Sequence, residues 1–387
     1  MLRLLHRQRV VHLLRTAGPM SRADVADELG LARSSVTAIV KDLLSNGTLI
    51  ELPTPPNGSA GRGRPRILLD CNPDAQRVLG IQIGAKRARV AVAGATGDLL
   101  QQGETSTLGR TPASVIRSIA RVAKQLIESS GGAVAAAGVC IPGYVDPSTG
   151  TVMRSELPGW SNVPLGESLS DMLGIPVAVR DLTQATTLAE AIAGDGRGTR
   201  SAVVLDYGGS VGIGLIIDGR PHYGANGFAG AIGHVPVQNG SNLCLCGRTG
   251  CLEAHMSINA MQQVAPETTG IPLDDIDLDA VARKVRQNPK SQELIRAVID
   301  QIAHVAILIE GFVDPEVLII AGLVVEFGEM VDALEARIEE LRPPERRGRT
   351  RTVRSRLTRD YYYGASVLVA LQHLDPDIAG MTIKPVR

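Results

Sequence analysis

"GSNLCLCGRTGCLEAHMS", residues 240–257, places three of the chain's five cysteines within eight positions, as Cys244-x-Cys246-x4-Cys251. Glycines at 247 and 250 supply the backbone freedom that so tight a segment requires. A disulfide staple, a redox centre, a metal site and an ordinary loop all use cysteine in this way, and the surroundings must decide. The N-terminal stretch MLRLLHRQRVVHLLRTAG is charged every few residues and lacks the apolar core of a signal peptide. No run of about 18 apolar residues is present to span a bilayer. The expectation is a cytoplasmic protein, where thiols stay reduced and clustered cysteines hold a metal more often than a disulfide.

The chain has 387 residues, enough for two or three domains. Hydrophobic residues make up 44% and aromatics only 3%, so the cores must be built from Val, Leu, Ile and Ala. The net charge is zero but unevenly spread: residues 1–70 hold ten Lys/Arg against six Asp/Glu, and residues 71–387 hold thirty against thirty-four. A basic head on an acidic body points to a polyanion partner for the head.

In that head, Leu4, Leu5, Val10, Val11, Leu13 and Leu14 form a helical stripe. GPMSRADVADELG then reads as a break, a cap at Ser21 answered by Asp24, and a short helix ended by Gly30. LARSSVTAIVKDLLSNG follows, with Val36, Ile39, Val40, Leu43 and Leu44 facing inward. Its outward face carries Arg33, Ser34, Ser35, Thr37 and Lys41, as a recognition helix requires. TLIELPTPPNGSAGRGRPRILLD reads as strand, loop, strand: the wing of a winged helix-turn-helix domain over residues 1–70. Arg62, Arg64 and Arg66 at its tip form a narrow cationic ribbon suited to an A·T-rich minor groove.

From residue 76 the pattern changes to β-hairpins, buried strands and helices, with helices expected at about 112–130 and 291–312. The segments GVCIPGYVDPSTG, GWSNVPLGESL, GIPVAVRD, GSVGIGLIIDG, GAIGHVPV, CLCGRTGCLE and DPEVLIIAG resemble, in order and spacing, the ROK family of repressors, open reading frames and sugar kinases. The resemblance implies an α/β fold: a two-lobed, actin/hexokinase-like (ribonuclease H-like) body over residues 71–387. It also implies a structural Zn²⁺ held by His234, Cys244, Cys246 and Cys251, three thiolates and one imidazole that leave no position for a catalytic water. Cys71 and Cys140 read as small buried residues.

The same resemblance places the kinase base at Asp181 and the sugar contacts at Asp181, His234 and Glu253. Several companions differ. Arg180 and Thr183 stand where the family has asparagines beside that aspartate, Glu156 where it has an asparagine, and Ala231 where it has a glutamate. The first phosphate turn reads Gln82-Ile83-Gly84-Ala85-Lys86-Arg87, with an amide in place of an acid and no threonine. The second reads Gly208-Gly209-Ser210-Val211-Gly212, and the adenosine-side glycine pair is Ala321-Gly322. Glutamine cannot bring the charge that organises Mg²⁺, so the body is expected to be non-catalytic. Glu156 and Arg180 are expected either to meet a charged or amino sugar or to pair across the cleft. Seven arginines between 346 and 359 read as an exposed strand, with an extended DNA-facing surface as the alternative.

These readings give a homo-oligomeric DNA-binding repressor that takes a double-stranded operator and a sugar or sugar derivative. The alternatives are a ROK sugar kinase with an added head and a regulator that needs no ligand.

Overall fold

The computed structural model describes residues 17–45, 47–52, 67–72, 77–94, 97–156, 158–237, 239–258, 288–357 and 361–374, with positions 6, 9–11, 13, 14, 260 and 376; at 361–363 only the backbone is described. Leu4, Leu5 and the tip arginines Arg62, Arg64 and Arg66 lie outside these residues.

In the head, the Ser21 hydroxyl accepts the Asp24 amide and the Asp24 carboxylate accepts the Ser21 amide, both at 3.3 Å. This reciprocal cap starts the helix Arg22–Leu29, and Gly30 ends it at φ 62°. The helix Arg33–Ser45 follows. Strands β1 (Met20–Ser21), β2 (Leu49–Leu52) and β3 (Leu68–Cys71) form an antiparallel sheet in the order β1-β3-β2. Val10, Leu14, Val25, Val36, Val40 and Leu69 share one core beneath both helices and the sheet. Two helices on a small antiparallel sheet are the elements that the winged helix-turn-helix expectation calls for.

The body contains two five-stranded sheets. The first joins β4 (Arg77–Ile83), β5 (Arg87–Ala93), β6 (Leu99–Ser106), β7 (Val134–Ile141) and β11 (Val177–Asp181) in the order β11-β7-β4-β5-β6. The second joins β12 (Ser201–Tyr207), β13 (Val211–Ile217), β14 (Arg220–Pro221), β15 (Val317–Ala321) and β16 (Arg351–Arg354) in the order β14-β13-β12-β15-β16. Each is an antiparallel meander continued by two parallel strands. Parallel strands need helical crossovers, and Pro112–Ser130 and Pro289–Val313 supply one in each lobe. The body therefore repeats one unit twice, as the ribonuclease H-like reading requires. A small antiparallel sheet of β8 (Tyr144–Asp146), β9 (Thr151–Ser155) and β10 (Trp160–Val163) is inserted in the first lobe.

Glycines let helices lie directly on these sheets. A Cβ on Gly138 would stand 2.1 Å from the Ser366 carbonyl and 2.4 Å from the Ala370 amide, so the helix Tyr361–Leu374 packs on β7 backbone to backbone. Thr183 and Thr187 of the helix Leu182–Ile192 occupy the spaces left by Gly212 and Gly214 on β13. This helix starts at the end of β11 in the first lobe and packs on the second, so it sits at the root of the cleft between them. The repeat also matches positions: Gln82 is the sixth residue of β4 and Asp206 the sixth of β12.

The arginine run forms β16, in which Arg351 is exposed but Thr352, Val353 and Arg354 are half-buried, so the exposed-strand reading is met only in part. Arg354 is ion-paired with Asp332 and Glu335, and Arg356 with Asp195 at 2.9 Å. No helix among the described residues is long and apolar enough to cross a membrane.

Candidate metal centre and interlobe cleft

The cysteine stretch folds back on itself through short backbone bonds. The Cys244 amide donates to Arg248 O at 2.8 Å, closing a turn in which Gly247 takes φ 84°. Gly250, also at φ 84°, lets its backbone approach Gly240, where a side chain would meet Gly240 O at 2.8 Å. The Val237 amide donates to Gly250 O and the Leu252 amide to Val235 O, which docks the segment beside His234.

The result gathers His234, Cys244, Cys246 and Cys251, with ligand atoms all within 4.8 Å of one another. Cys246 and Cys251 sulfurs are 3.6 Å apart, and Cys244 Sγ is 3.6 Å from His234 Nδ1. A tetrahedron with Zn–S bonds of about 2.3 Å has edges of about 3.8 Å, so the donor set fits zinc in type, number and spacing. None of the cysteines is in a disulfide. Burial opposes ionisation of Cys246, yet hydrogen bonds from Arg248 outweigh it and hold the thiol at about 6, towards the thiolate a metal binds.

The two ring nitrogens of His234 face different partners. Nδ1 faces the sulfurs, while Nε2 lies 3.4 Å from Glu156 Oε1. Glu156 is held in turn by Arg154 Nε at 2.9 Å, and Arg154 donates a further bond to Cys246 O. The His234 contact holds the Glu156 carboxyl below its usual range, and Glu156 raises the imidazole. The Tyr144 ring stacks on His234 at 5.8 Å, and burial pushes nearby Glu253 up to about 7.

A second group lies at the root of the cleft. Asp181 ends β11 and caps the helix Leu182–Ile192, accepting the Gln184 amide at 3.1 Å. Burial pushes its carboxyl up to about 7, with the charge of Asp206 adding to the effect. Asp206 is raised to about 6 by burial, against hydrogen bonds from Thr183 and Thr186. Arg180 donates to Val179 O at 3.0 Å and lies over the Tyr223 ring at 5.5 Å. Of the two alternatives for Glu156 and Arg180, the pairing across the cleft is therefore not formed. Glu156, just past the end of β9, is reached by Arg154 only two residues earlier in the chain, whereas Arg180 would have to cross the cleft.

The sequence reading put Glu156, Arg180, Asp181, His234 and Glu253 in one ligand site; the structure divides them into His234, Glu156 and Glu253 in one group and Asp181 and Arg180 in another. No hydrogen bond or ion pair among the described residues joins the two. It missed Arg154, Arg248, Tyr144, Asp206 and Tyr223. The repeat could have pointed to Asp206, since Gln82 holds its place in the first lobe. Gln82 is buried and its amide oxygen accepts from Arg89 at 3.1 Å, a neutral contact at the position where a kinase presents an acid.

On the head, Arg33, Ser34, Ser35, Thr37 and Lys41 are all exposed, while Val36, Ile39 and Val40 between them are buried. Thr37 spends its hydroxyl proton on Arg33 O at 2.8 Å, leaving its oxygen as an acceptor.

Residues 78–369 match the ROK family profile. The chain is 25% identical to the xylose repressor of Caldicellulosiruptor bescii over 80% of this chain and 81% of that one. It is 26% identical to the DNA-binding transcriptional dual regulator NagC of Escherichia coli K12 over 94% of each. Its fold matches the crystal structure of a ROK family transcriptional regulator, a homologue of the E. coli MLC protein, with a TM-score of 0.79, 23% identity and 99% of both chains covered. With its repeated lobes and its cluster of one histidine and three cysteines in place, the chain belongs to the ROK family.

Proposed function

We propose that this chain is a cytoplasmic DNA-binding transcriptional repressor, with residues 1–70 as its reading head and residues 71–387 as a non-catalytic body that senses a sugar or sugar derivative. The observation that carries this reading is the exposed polar row Arg33, Ser34, Ser35, Thr37 and Lys41 on a helix whose other face is buried in a winged domain. The xylose repressor and NagC relatives, which match 80% and 94% of this chain, are named as a repressor and a transcriptional regulator, which supports it. Arg62, Arg64 and Arg66 would extend the contact into the minor groove. His234 and the three clustered cysteines would hold one structural Zn²⁺, and the body would assemble as a dimer or tetramer.

The alternative, an ATP-dependent sugar kinase, draws on Asp181, whose raised carboxyl suits a general base. It fails on the nucleotide side. Gln82, whose amide oxygen accepts from Arg89, carries no charge for Mg²⁺.

A footprint of the purified protein across its own upstream region, with and without a panel of sugars and sugar phosphates, tests the reading. A protected site that one compound releases is the expected result. Hexose phosphorylation from ATP by the same preparation would overturn it.

A further inference from the structure

We propose, on the reading of the body as a sugar sensor, that the compound it senses is a sugar acid with a single carboxylate, uronic or aldonic, received by the Arg180 guanidinium.

Arg180, next to Asp181 in β11, is a half-buried cation without a close counter-charge. Its Nη1 donates to Val179 O at 3.0 Å, and its buried Nε has no hydrogen-bond partner. No carboxylate among the described residues lies within 4.0 Å of it. The fully buried Arg342 shows the usual solution, with Glu310 2.6 Å away. A guanidinium taken from water without such a partner costs stability, and an arriving anion offsets that cost. The neighbouring acids do not supply one. Glu156 is held by Arg154 at 2.9 Å and faces His234 at 3.4 Å. Asp181 accepts the Gln184 amide at 3.1 Å, and burial raises its carboxyl to about 7, so it carries only part of a charge at neutral pH.

Position ties this cation to both lobes. β11 belongs to the first lobe, and Arg180 lies 5.5 Å over the ring of Tyr223, which follows β14 of the second. The Tyr223 hydroxyl donates to Gln372 Oε1 at 3.2 Å, on the helix that packs on the first sheet, so the ring is fixed from another side. A ligand on the guanidinium thus binds where the lobes meet and can favour one lobe arrangement over another.

A single unanswered positive charge also selects the ligand. A neutral hexose leaves it unanswered, and an amino sugar would set a second cation beside it. A phosphate ester carries roughly −1.5 to −2 at pH 7, more than one guanidinium neutralises next to a partly charged Asp181. A carboxylate balances the charge one for one, and its two oxygens match the fork of N–H donors.

Isothermal titration calorimetry of the full-length protein without DNA tests this, with glucuronate, galacturonate and gluconate against glucose, glucosamine and glucose 6-phosphate. Each acid is also compared with its amide, which keeps the shape and removes the charge. One of the acids is expected to bind about 10–100-fold more tightly than its amide. Arg180→Met, similar in length but uncharged, is expected to erase that difference with an unchanged far-ultraviolet spectrum. Arg180→Lys, with the charge but no fork, should fall between the two. The acid–amide comparison is made on the wild type, so it decides even where a variant fails to fold. Tighter binding of glucose, glucosamine or glucose 6-phosphate than of any acid overturns the proposal and leaves the sensing role intact. So does an acid–amide difference that survives in Arg180→Met. Silence from every compound, in a protein that still protects its operator, overturns both the proposal and the sensing role.

Discussion

His234 Nε2 lies 3.4 Å from Glu156 Oε1 while the same ring turns Nδ1 to Cys244 Sγ at 3.6 Å. A carboxylate on the far nitrogen fixes the ring's tautomer and angle and makes the near nitrogen a better metal donor. Glu156→Gln is therefore expected to lower zinc affinity by about 10–100-fold without removing a ligand. Competition against a chromophoric chelator measures this. Unchanged affinity would return Glu156 to the role of a cleft acid only.

The metal itself should carry fold stability. The segment from Gly240 to Cys251 is held by short hydrogen bonds and a small cluster of the three cysteines with Ala254, so an ion bound there is expected to supply much of its order. Elemental analysis is expected to find one zinc per chain under reducing conditions. Cys246→Ser should abolish it and lower the thermal midpoint by several degrees, roughly what the loss of one or two kcal/mol produces in a domain of this size.

Asp181 and Asp206 make the body sensitive to pH in a defined direction. Burial raises both carboxyls from 3.8, to about 7 and about 6, so the folded chain keeps protons that the unfolded chain has released. That contribution is fully present below about pH 4 and is lost as pH rises through 6 to 7. Asp181→Asn keeps an oxygen to accept the Gln184 amide and removes the charge. Its urea midpoint should fall less than that of the wild type between pH 5 and pH 8. Parallel pH profiles for the two proteins would refute this.

Local chemistry was legible in the sequence, and long-range pairing was not. The Ser21–Asp24 cap, the Gly30 stop and the Cys244–Cys251 turn all act over a few residues, and each was read with its physical cause. The contact of Gln82 with Arg89 depends on the register of β4 against β5, and the place of Asp206 depends on the two sheets repeating the same order. Neither is written in a short window. Of the two roles weighed for Glu156 and Arg180, the pairing across the cleft is not formed, because Arg154, two residues away in the chain, takes the Glu156 carboxylate.

Close packing of the helix Tyr361–Leu374 on the first sheet sets a strict demand at Gly138. A methyl group there meets backbone atoms of Ser366 and Ala370, which cannot rotate away. Gly138→Ala is expected to destabilise the body by more than about 2 kcal/mol. Gly328→Ala is the matched control, since its Cβ would meet nothing within 4 Å and it starts a helix. Denaturant titration of both variants decides, and equal effects would mean the helix can lift off the sheet at no cost.

The head should read DNA in two ways that salt and sequence separate. Arg33, Ser34 and Ser35 stand at the start of the helix Arg33–Ser45, the end that meets base edges, while Lys41 lies two turns further along. Arg33→Ala is expected to cost about 1–3 kcal/mol and relax preference at one operator position. If Lys41 touches phosphate alone, Lys41→Ala should weaken all sequences alike and reduce the salt slope by about one. Arg64 stands in the sequence GRGRPR, outside the described residues, and guanidinium groups favour the narrow, strongly negative minor groove of A·T tracts. Arg64→Ala should therefore weaken binding more on A·T-rich flanks than on G·C-rich ones. Fluorescence anisotropy with the two flanks at matched salt distinguishes these cases, because a wing that touches only phosphates would lose the same affinity on both.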